Sequence, residues 1–323
     1  MTGFVVGTRG SALAVTQTTT VAEHLAAAGA PDYKIVRIKT EGDVTAGPLS
    51  QLGGTGVFAA ALRMALLNGE CDVAIHSLKD LPSKQPEGLV IAAIPERVDV
   101  RDALCARDGL TLAELPEGSS IGTGSPRRAA QLRGARPDLV VVDIRGNVGT
   151  RLGRVAGSPA PANDGGVGHG RHGDLDAVVL AAAGLRRLGL EGHVTEFMDP
   201  SIMLPAPGQG ALAVECRPET VVDGNLADAL AGIDHATSRL GVTAERGLLA
   251  RLEAGCSAPI GALAHLDGEA LVLEAAVCST DGSRMLRRAL STADLSLDGA
   301  EALGRDLADE LLGLGAAELA DLG

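Results

Sequence analysis

Short apolar runs, each closed by a turn rich in glycine, arginine or a Lys-Asp pair, recur along the first two thirds of the chain and alternate with stretches of helical apolar spacing. This alternation confines the chain to an α/β class of fold, because strands covered on both faces read as continuous apolar runs. The predicted strands are Phe4 to Gly7, Lys34 to Ile38, Val73 to His76, Leu89 to Ala93, Leu139 to Ile144, Asp176 to Ala181 and Ala211 to Glu215. Helical spacing covers Ala12 to Ala28 and Phe58 to Leu67. The last third changes character: a long helix from His235 to Glu253, strand-like Ala262 to Ala264, Ala270 to Cys278 and Met285 to Leu290, then a helix near Leu303 to Leu312. That part reads as a small α+β domain following α/β material.

A length of 323 residues suggests two or three domains, and 46% hydrophobic residues leave enough material to bury. No apolar run reaches membrane-spanning length, and Met1 to Val6 passes into a glycine-rich turn without a basic or cleavable apolar leader, so a cytoplasmic protein without membrane contact is expected. The cysteines (Cys71, Cys105, Cys216, Cys256, Cys278) are odd in number and far apart, which argues against a disulfide framework or structural zinc and fits reduced thiols. A net charge of −13 disfavours nucleic acid as a partner. Ile121 to Arg151 nevertheless carries six arginines against Asp138 and Asp143, a basic segment suited to a small anionic ligand. Only four of the 28 basic residues are lysine, which follows from an Ala-, Gly- and Arg-rich composition, so meaning lies in where individual arginines fall. Residues 157–173 hold six glycines and two prolines and are expected to form a flexible surface loop. His169 and His172 within it have no acidic or thiol neighbour, and a metal site is not expected.

Three strand ends carry arginine loops. Gly122-Thr123-Gly124-Ser125-Pro126-Arg127-Arg128 places an N-cap serine, a first-turn proline and two arginines at a helix start. Cations oppose the macrodipole there, a conflict that an anion bound by both guanidiniums would remove. An ordinary capped helix with solvated arginines accounts for the same residues equally well. Arg145-Gly146-Asn147-Val148-Gly149-Thr150-Arg151 and Gly7-Thr8-Arg9-Gly10-Ser11 repeat the arrangement, and ligands of open α/β sheets gather at such strand ends. His76-Ser77-Leu78-Lys79-Asp80 ends another apolar run, where Asp80 and Lys79 are either a solvated pair or a proton-transfer and charge-stabilising set. Cys256 sits between glycines 255 and 261, where a thiol can be closely approached; taken alone, a single cysteine is more often an inert small hydrophobe.

Together with Ala181-Ala182-Ala183-Gly184-Leu185-Arg186-Arg187-Leu188-Gly189, Pro205-Ala206-Pro207-Gly208-Gln209-Gly210-Ala211 and Gly255-Cys256-Ser257-Ala258-Pro259-Ile260-Gly261, these segments, in this order, resemble the hydroxymethylbilane synthase (porphobilinogen deaminase) family from Val6 to about Gly315. The resemblance implies two periplasmic-binding-protein-like α/β domains hinged around a cleft, 1–95 with 207–229 and 96–206, plus a small α+β C-terminal domain, 230–323, carrying the cofactor cysteine. It implies a monomeric enzyme with a dipyrromethane on Cys256 through a thioether, four porphobilinogen molecules added in turn to a growing oligopyrrole, and neither metal nor nucleotide. Six linked pyrroles bring twelve carboxylates. The resemblance assigns their binding to Arg9, Ser11, Ser77, Lys79, Thr123, Ser125, Arg127, Arg128, Arg145, Gly146, Asn147, Arg151, Arg187 and Gln209, and the catalytic carboxylate to Asp80. One departure is Gln51 to Ala61, which lacks the lysines many family members carry, Thr55 and Ala60 standing in that stretch. A non-catalytic anionic-solute-binding or sensing protein of the same two-lobed fold, or an inactive paralogue, would share part of this pattern.

Overall fold

The computed structural model describes residues 3–38, 57–158, 173–254 and 258–320. They divide into two compact units, Met1–Val98 with Ala211–Val242 and Asp99–Gly210 with Thr243–Gly323. Cys256, Thr55, His169, His172 and most of the 157–173 loop lie outside the described residues.

The first unit is built on a five-stranded sheet in the order β2-β1-β3-β10-β4. Its strands are β1 (Phe4–Thr8), β2 (Tyr33–Arg37), β3 (Val73–Ser77), β4 (Val90–Ala93) and β10 (Leu212–Cys216). β1 runs parallel to β2 and β3, while β10 runs antiparallel to β3 and β4. Helices α1 (Ala12–Ala27) and α6 (Asn225–Ile233) supply Val21, Leu25 and Leu230 to a core with Phe4, Val6, Ile75 and Val214. Leu62 and Leu66 of α2 (Val57–Leu67) pack with Cys71 and Ala74 in a second cluster. Two-sided cover explains the unbroken apolar runs, and each such side chain contributes about 1.5–3 kcal/mol on burial. Ser11 starts α1 by accepting the Ala14 N–H at 3.3 Å, and the buried face Gln17, Thr18, Val21, Ala22, Leu25 follows the helical period.

The second unit repeats the plan in the order β7-β6-β8-β5-β9, with β5 (Asp102–Ala106), β6 (Ser120–Gly122), β7 (Val140–Val142), β8 (Ala177–Ala181) and β9 (Glu196–Phe197). β6 is parallel to β7 and β8, and β5 is antiparallel to β8 and β9. Its helices are α3 (Pro126–Ala135), α4 (Val148–Leu152) and α5 (Ala182–Arg187). Alternate residues of β5 face opposite cores, Ala103 and Cys105 towards Leu152 and Leu185, Leu104 towards Leu132 and Met198. The same unit contains most of α7 (Ala236–Arg251) and an antiparallel meander of β11 (Ile260–Asp267), β12 (Ala270–Cys278) and β13 (Met285–Thr292), followed by α8 (Leu297–Gly313) and α9 (Ala316–Leu319). The result is the expected α/β architecture with a smaller C-terminal α+β region.

Three strands depart from expectation. β5 opens on a charged residue, Ser120-Ile121-Gly122 has a single large apolar side chain, and β9 is two residues long, so none shows a readable period. β7 is shorter than the predicted Leu139 to Ile144 because Asp143 and Ile144 already belong to the arginine loop. No described helix is long and apolar enough to cross a membrane.

Candidate active site

In the first unit, β3 ends at Ser77 and continues into a single 3-10 turn, Leu78–Asp80. Leu78 is buried and its N–H donates to the Ala211 carbonyl at 3.0 Å, while the Leu81 N–H closes the turn on the Leu78 carbonyl. These bonds fix Asp80 at the strand end, in a cavity of about 30 Å³ also lined by Arg9, Gln17, His76 and Ser77. Of the residues predicted from sequence, Arg9, Ser77 and Asp80 therefore meet. Lys79 lies beside them in the same turn, and the Ser11 hydroxyl is engaged in the α1 cap. Gln17 was not anticipated: its Nε2 donates to Ser77 Oγ at 3.1 Å. Behind the cavity, His76 Nε2 stands 3.2 Å from Glu215, a fully buried carboxylate that also receives Arg63 Nε and Gln85 Nε2 at 3.0 and 2.5 Å. Burial pushes the Glu215 carboxyl upward, but hydrogen bonds from His76 and Arg63 outweigh it and hold it at about 2. The signal for this group in the sequence is an acid inside an apolar central strand, which burial obliges to find cationic partners.

In the second unit, Ser125 caps α3 as expected, accepting the Arg128 N–H at 3.4 Å, and Pro126 occupies the first turn. Gly124 lets this loop pass under the Ile144 carbonyl, where a Cβ would come within 2.5 Å of the oxygen. Thr123 is buried, and its hydroxyl accepts the Ser125 N–H. Arg127 and Arg128 point inward and are 3% and 5% exposed, so the solvated-arginine alternative falls away. The anion between them is internal: Asp102, fully buried at the start of β5. Arg127 Nη1 lies 2.8 Å from Asp102 Oδ2, and Arg128 approaches Oδ1 through Nη2 at 2.7 Å and Nε at 2.9 Å. Gln209, buried as well, donates its Nε2 to Asp102 Oδ1 and the Val100 carbonyl, both at 2.8 Å. Burial would raise the Asp102 carboxyl, yet the two guanidiniums hold it well below the carboxylate range. Burial lowers Arg127, and the Asp102 carboxylate beside it opposes that shift.

This cluster carries two positive charges against one negative. Arg127 Nε is buried with no hydrogen-bond partner among the described residues. Arg145, 3.5 Å from Asp143, likewise has Nε and Nη1 buried without one. Neighbouring Gly146 adopts φ +105°, a conformation that suits glycine, and Asn147 caps α4 by accepting the Thr150 N–H at 2.8 Å. Arg151 Nε donates to the Gly146 carbonyl at 2.7 Å, so it braces the loop. Arg187, at the end of α5, donates to the Gly210 carbonyl at 2.9 Å, and burial lowers it to about 10. Unfilled guanidinium donors beside an excess of positive charge suit a carboxylate-bearing group such as a dipyrromethane.

Four of the five cysteines lie among the described residues. Cys71, Cys105, Cys216 and Cys278 are buried, and burial pushes their thiols to about 11, 12, 11 and 11, too high for a thiolate at neutral pH. Residues 4–222 match the model of the porphobilinogen deaminase dipyromethane cofactor binding domain, and residues 239–313 match that of the porphobilinogen deaminase C-terminal domain. The chain belongs to the porphobilinogen deaminase family. Porphobilinogen deaminase of Cutibacterium acnes is 54% identical over all of this chain and 98% of its own length. That of Micrococcus luteus is 58% identical over 91% of this chain and 82% of its own, and that of Leifsonia xyli 52% identical over 98% and 94%. The sequence pointed to Arg9, Asp80 and the arginine loops and did not single out Gln17, Glu215 and Asp102, which the structure sets against Ser77, His76 and the Arg127–Arg128 pair. Asp102 had one readable sign, a lone carboxylate heading the apolar run Ala103-Leu104-Cys105-Ala106.

Proposed function

We propose that this chain deaminates four porphobilinogen molecules and joins them head to tail on a dipyrromethane primer, held by a thioether to Cys256, before hydrolysis releases linear hydroxymethylbilane. The observation that carries this reading is the surplus of buried guanidinium donors at Arg127 and Arg145, beside two arginines that share one aspartate. A polyacidic ligand relieves the electrostatic cost of that arrangement. Burial of the four other cysteines supports Cys256, the cysteine the family resemblance points to, as the anchor. When bound, the primer supplies the nucleophilic free α-position of a pyrrole.

The chain's own residues do the rest. Arg127, Arg128, Arg145, Arg151, Arg187 and Arg9 hold acetate and propionate groups, with hydroxyls and backbone N–H groups of the Ser11, Ser77, Lys79, Thr123, Ser125, Gly146, Asn147 and Gln209 segments sharing the load. Six arginines cannot pair bidentately with twelve carboxylates, so either these other groups and solvent carry the remainder or the growing chain moves past one catalytic point. Loss of ammonia leaves a methylene-pyrrole cation derived from the substrate. Asp80 stabilises that cation and accepts the pyrrole N–H hydrogen bonds, with proton transfer a second role of the same carboxylate. The three-domain division, with the C-terminal domain presenting Cys256, a monomeric state and a cytoplasmic setting belong to the same reading. Supplying the purified protein with porphobilinogen tests it: one ammonia per porphobilinogen consumed and accumulation of the linear bilane are expected, and binding without ammonia release would contradict it.

A further inference from the structure

Asp102 is a buried carboxylate that the family motifs leave without a role. It is fully buried, it is the one carboxylate the structure pairs with Arg127 and Arg128 among the described residues, and three separate groups converge on it. Its two oxygens are divided between the guanidiniums, Oδ2 to Arg127 and Oδ1 to Arg128 and Gln209. Both guanidiniums also donate to backbone carbonyls, Arg127 through the same Nη1 that faces Asp102. Arg127 Nη1 donates to the Leu204 carbonyl at 2.6 Å and Arg128 Nη1 to the Val179 carbonyl at 3.2 Å. The groups come from β5 (Asp102), β8 (Val179), the 199–210 connection (Leu204, Gln209) and α3, which carries both arginines, so four segments meet at the carboxylate. A buried arginine pair without a carboxylate between its members would be forced apart by like charge.

We infer that Asp102 is a positioning residue: it holds Arg127 and Arg128 together, cancels one of their two charges, and leaves a net charge of one that a single ligand carboxylate completes through Arg127 Nε. This deepens the function proposed above and rests on it. The alternative, that Asp102 only stabilises the fold, predicts a different pattern of loss. A structural ion pair lowers the folded fraction and leaves the folded molecules normally active. A positioning carboxylate lowers turnover in molecules that are fully folded and loaded, because misplacing a substrate-holding group by about 1 Å costs up to about 100-fold in rate.

The test uses the holoenzyme, with Asp102→Asn, which keeps shape and loses charge, and Asp102→Ala, which vacates the carboxylate. Cofactor load is read by intact mass and folded fraction by thermal melting. The expected result is a folded, loaded Asp102→Asn enzyme whose kcat falls by about 10- to 100-fold while KM for porphobilinogen moves by less than about threefold. Sodium formate should restore Asp102→Ala severalfold, and sodium chloride at the same ionic strength should not. Wild-type-like kcat in loaded Asp102→Asn would overturn the inference. So would a loss that tracks the folded fraction and ignores formate, or failure of both variants to fold, which would make Asp102 a requirement of the fold itself. A wild-type protein lacking the mass increment or turnover would instead overturn the proposed function, so the two failures are distinguishable.

Discussion

Replacing Asp80 by alanine removes the negative charge from the cavity that Arg9, His76 and Ser77 also line. Because a preorganised charge acts on the transition state more than on bound substrate, kcat should fall by about 100- to 1,000-fold while the cofactor stays attached. Near-normal turnover in steady-state kinetics would reject the role. Glu215 sets a second expectation, for pH. Its carboxyl stands at about 2 in the fold against an ordinary value of 4.5. A depressed carboxyl contributes stability that is fully present above its unfolded value and is lost as pH falls through its folded value. About 3 kcal/mol should therefore disappear between about pH 4.5 and about pH 2. Denaturant midpoints across that window should fall steeply for the wild type and more gently for Glu215→Gln; parallel slopes would refute the assignment. Asp80 was legible in the sequence because it ends an apolar run in a turn with Lys79. Asp102, heading an apolar run, and Glu215, inside one, carried only a faint sign, since a lone acid there does not reveal which distant guanidinium it meets.

Helix starts and strand-end loops carry the site, and their sequence signals are strong. Ser125-Pro126 marks a cap that forms as read, and Ser11 and Asn147, in the other two arginine loops, cap α1 and α4. Ser125→Ala should cost about 1 kcal/mol and lower the melting temperature by about 2–4 °C. An unchanged melting temperature would show that this hydroxyl does not cap α3. Gly124→Ala is predicted to be worse than the lost cap, because its new Cβ would meet the Ile144 carbonyl at 2.5 Å and must push the start of α3 away. Thermal melting of the two variants side by side checks the order. Strands were less evenly readable: β12 has the predicted bounds, Ala270–Cys278, whereas β5, β6 and β9 are too short or too polar for a period to emerge. β5 mattered most, because its first residue is Asp102 and the arginine pair has no visible partner until that strand is placed.

Both five-stranded sheets share one plan, two parallel pairings and then an antiparallel strand at the fourth position. In the first unit that strand, β10, arrives from residues 212–216, after the chain has built most of the second unit, and in the second unit it is β5, the first strand after the crossing. Local periodicity predicts that strands exist and cannot predict such long-range pairing, so the α/β class was legible while the strand order was not. What pointed to the family at this scale was the order of seven short motifs, each ambiguous alone, and the models of that family match 4–222 and 239–313. The central claim is a polyacidic chain grown on one cysteine. Intact mass spectrometry of freshly purified wild type and Cys256→Ala tests it most directly. The expected wild-type mass exceeds that of the polypeptide by two porphobilinogen units less two ammonia molecules, with no increment in Cys256→Ala. An unmodified wild-type mass, or the same increment on the alanine variant, would contradict it.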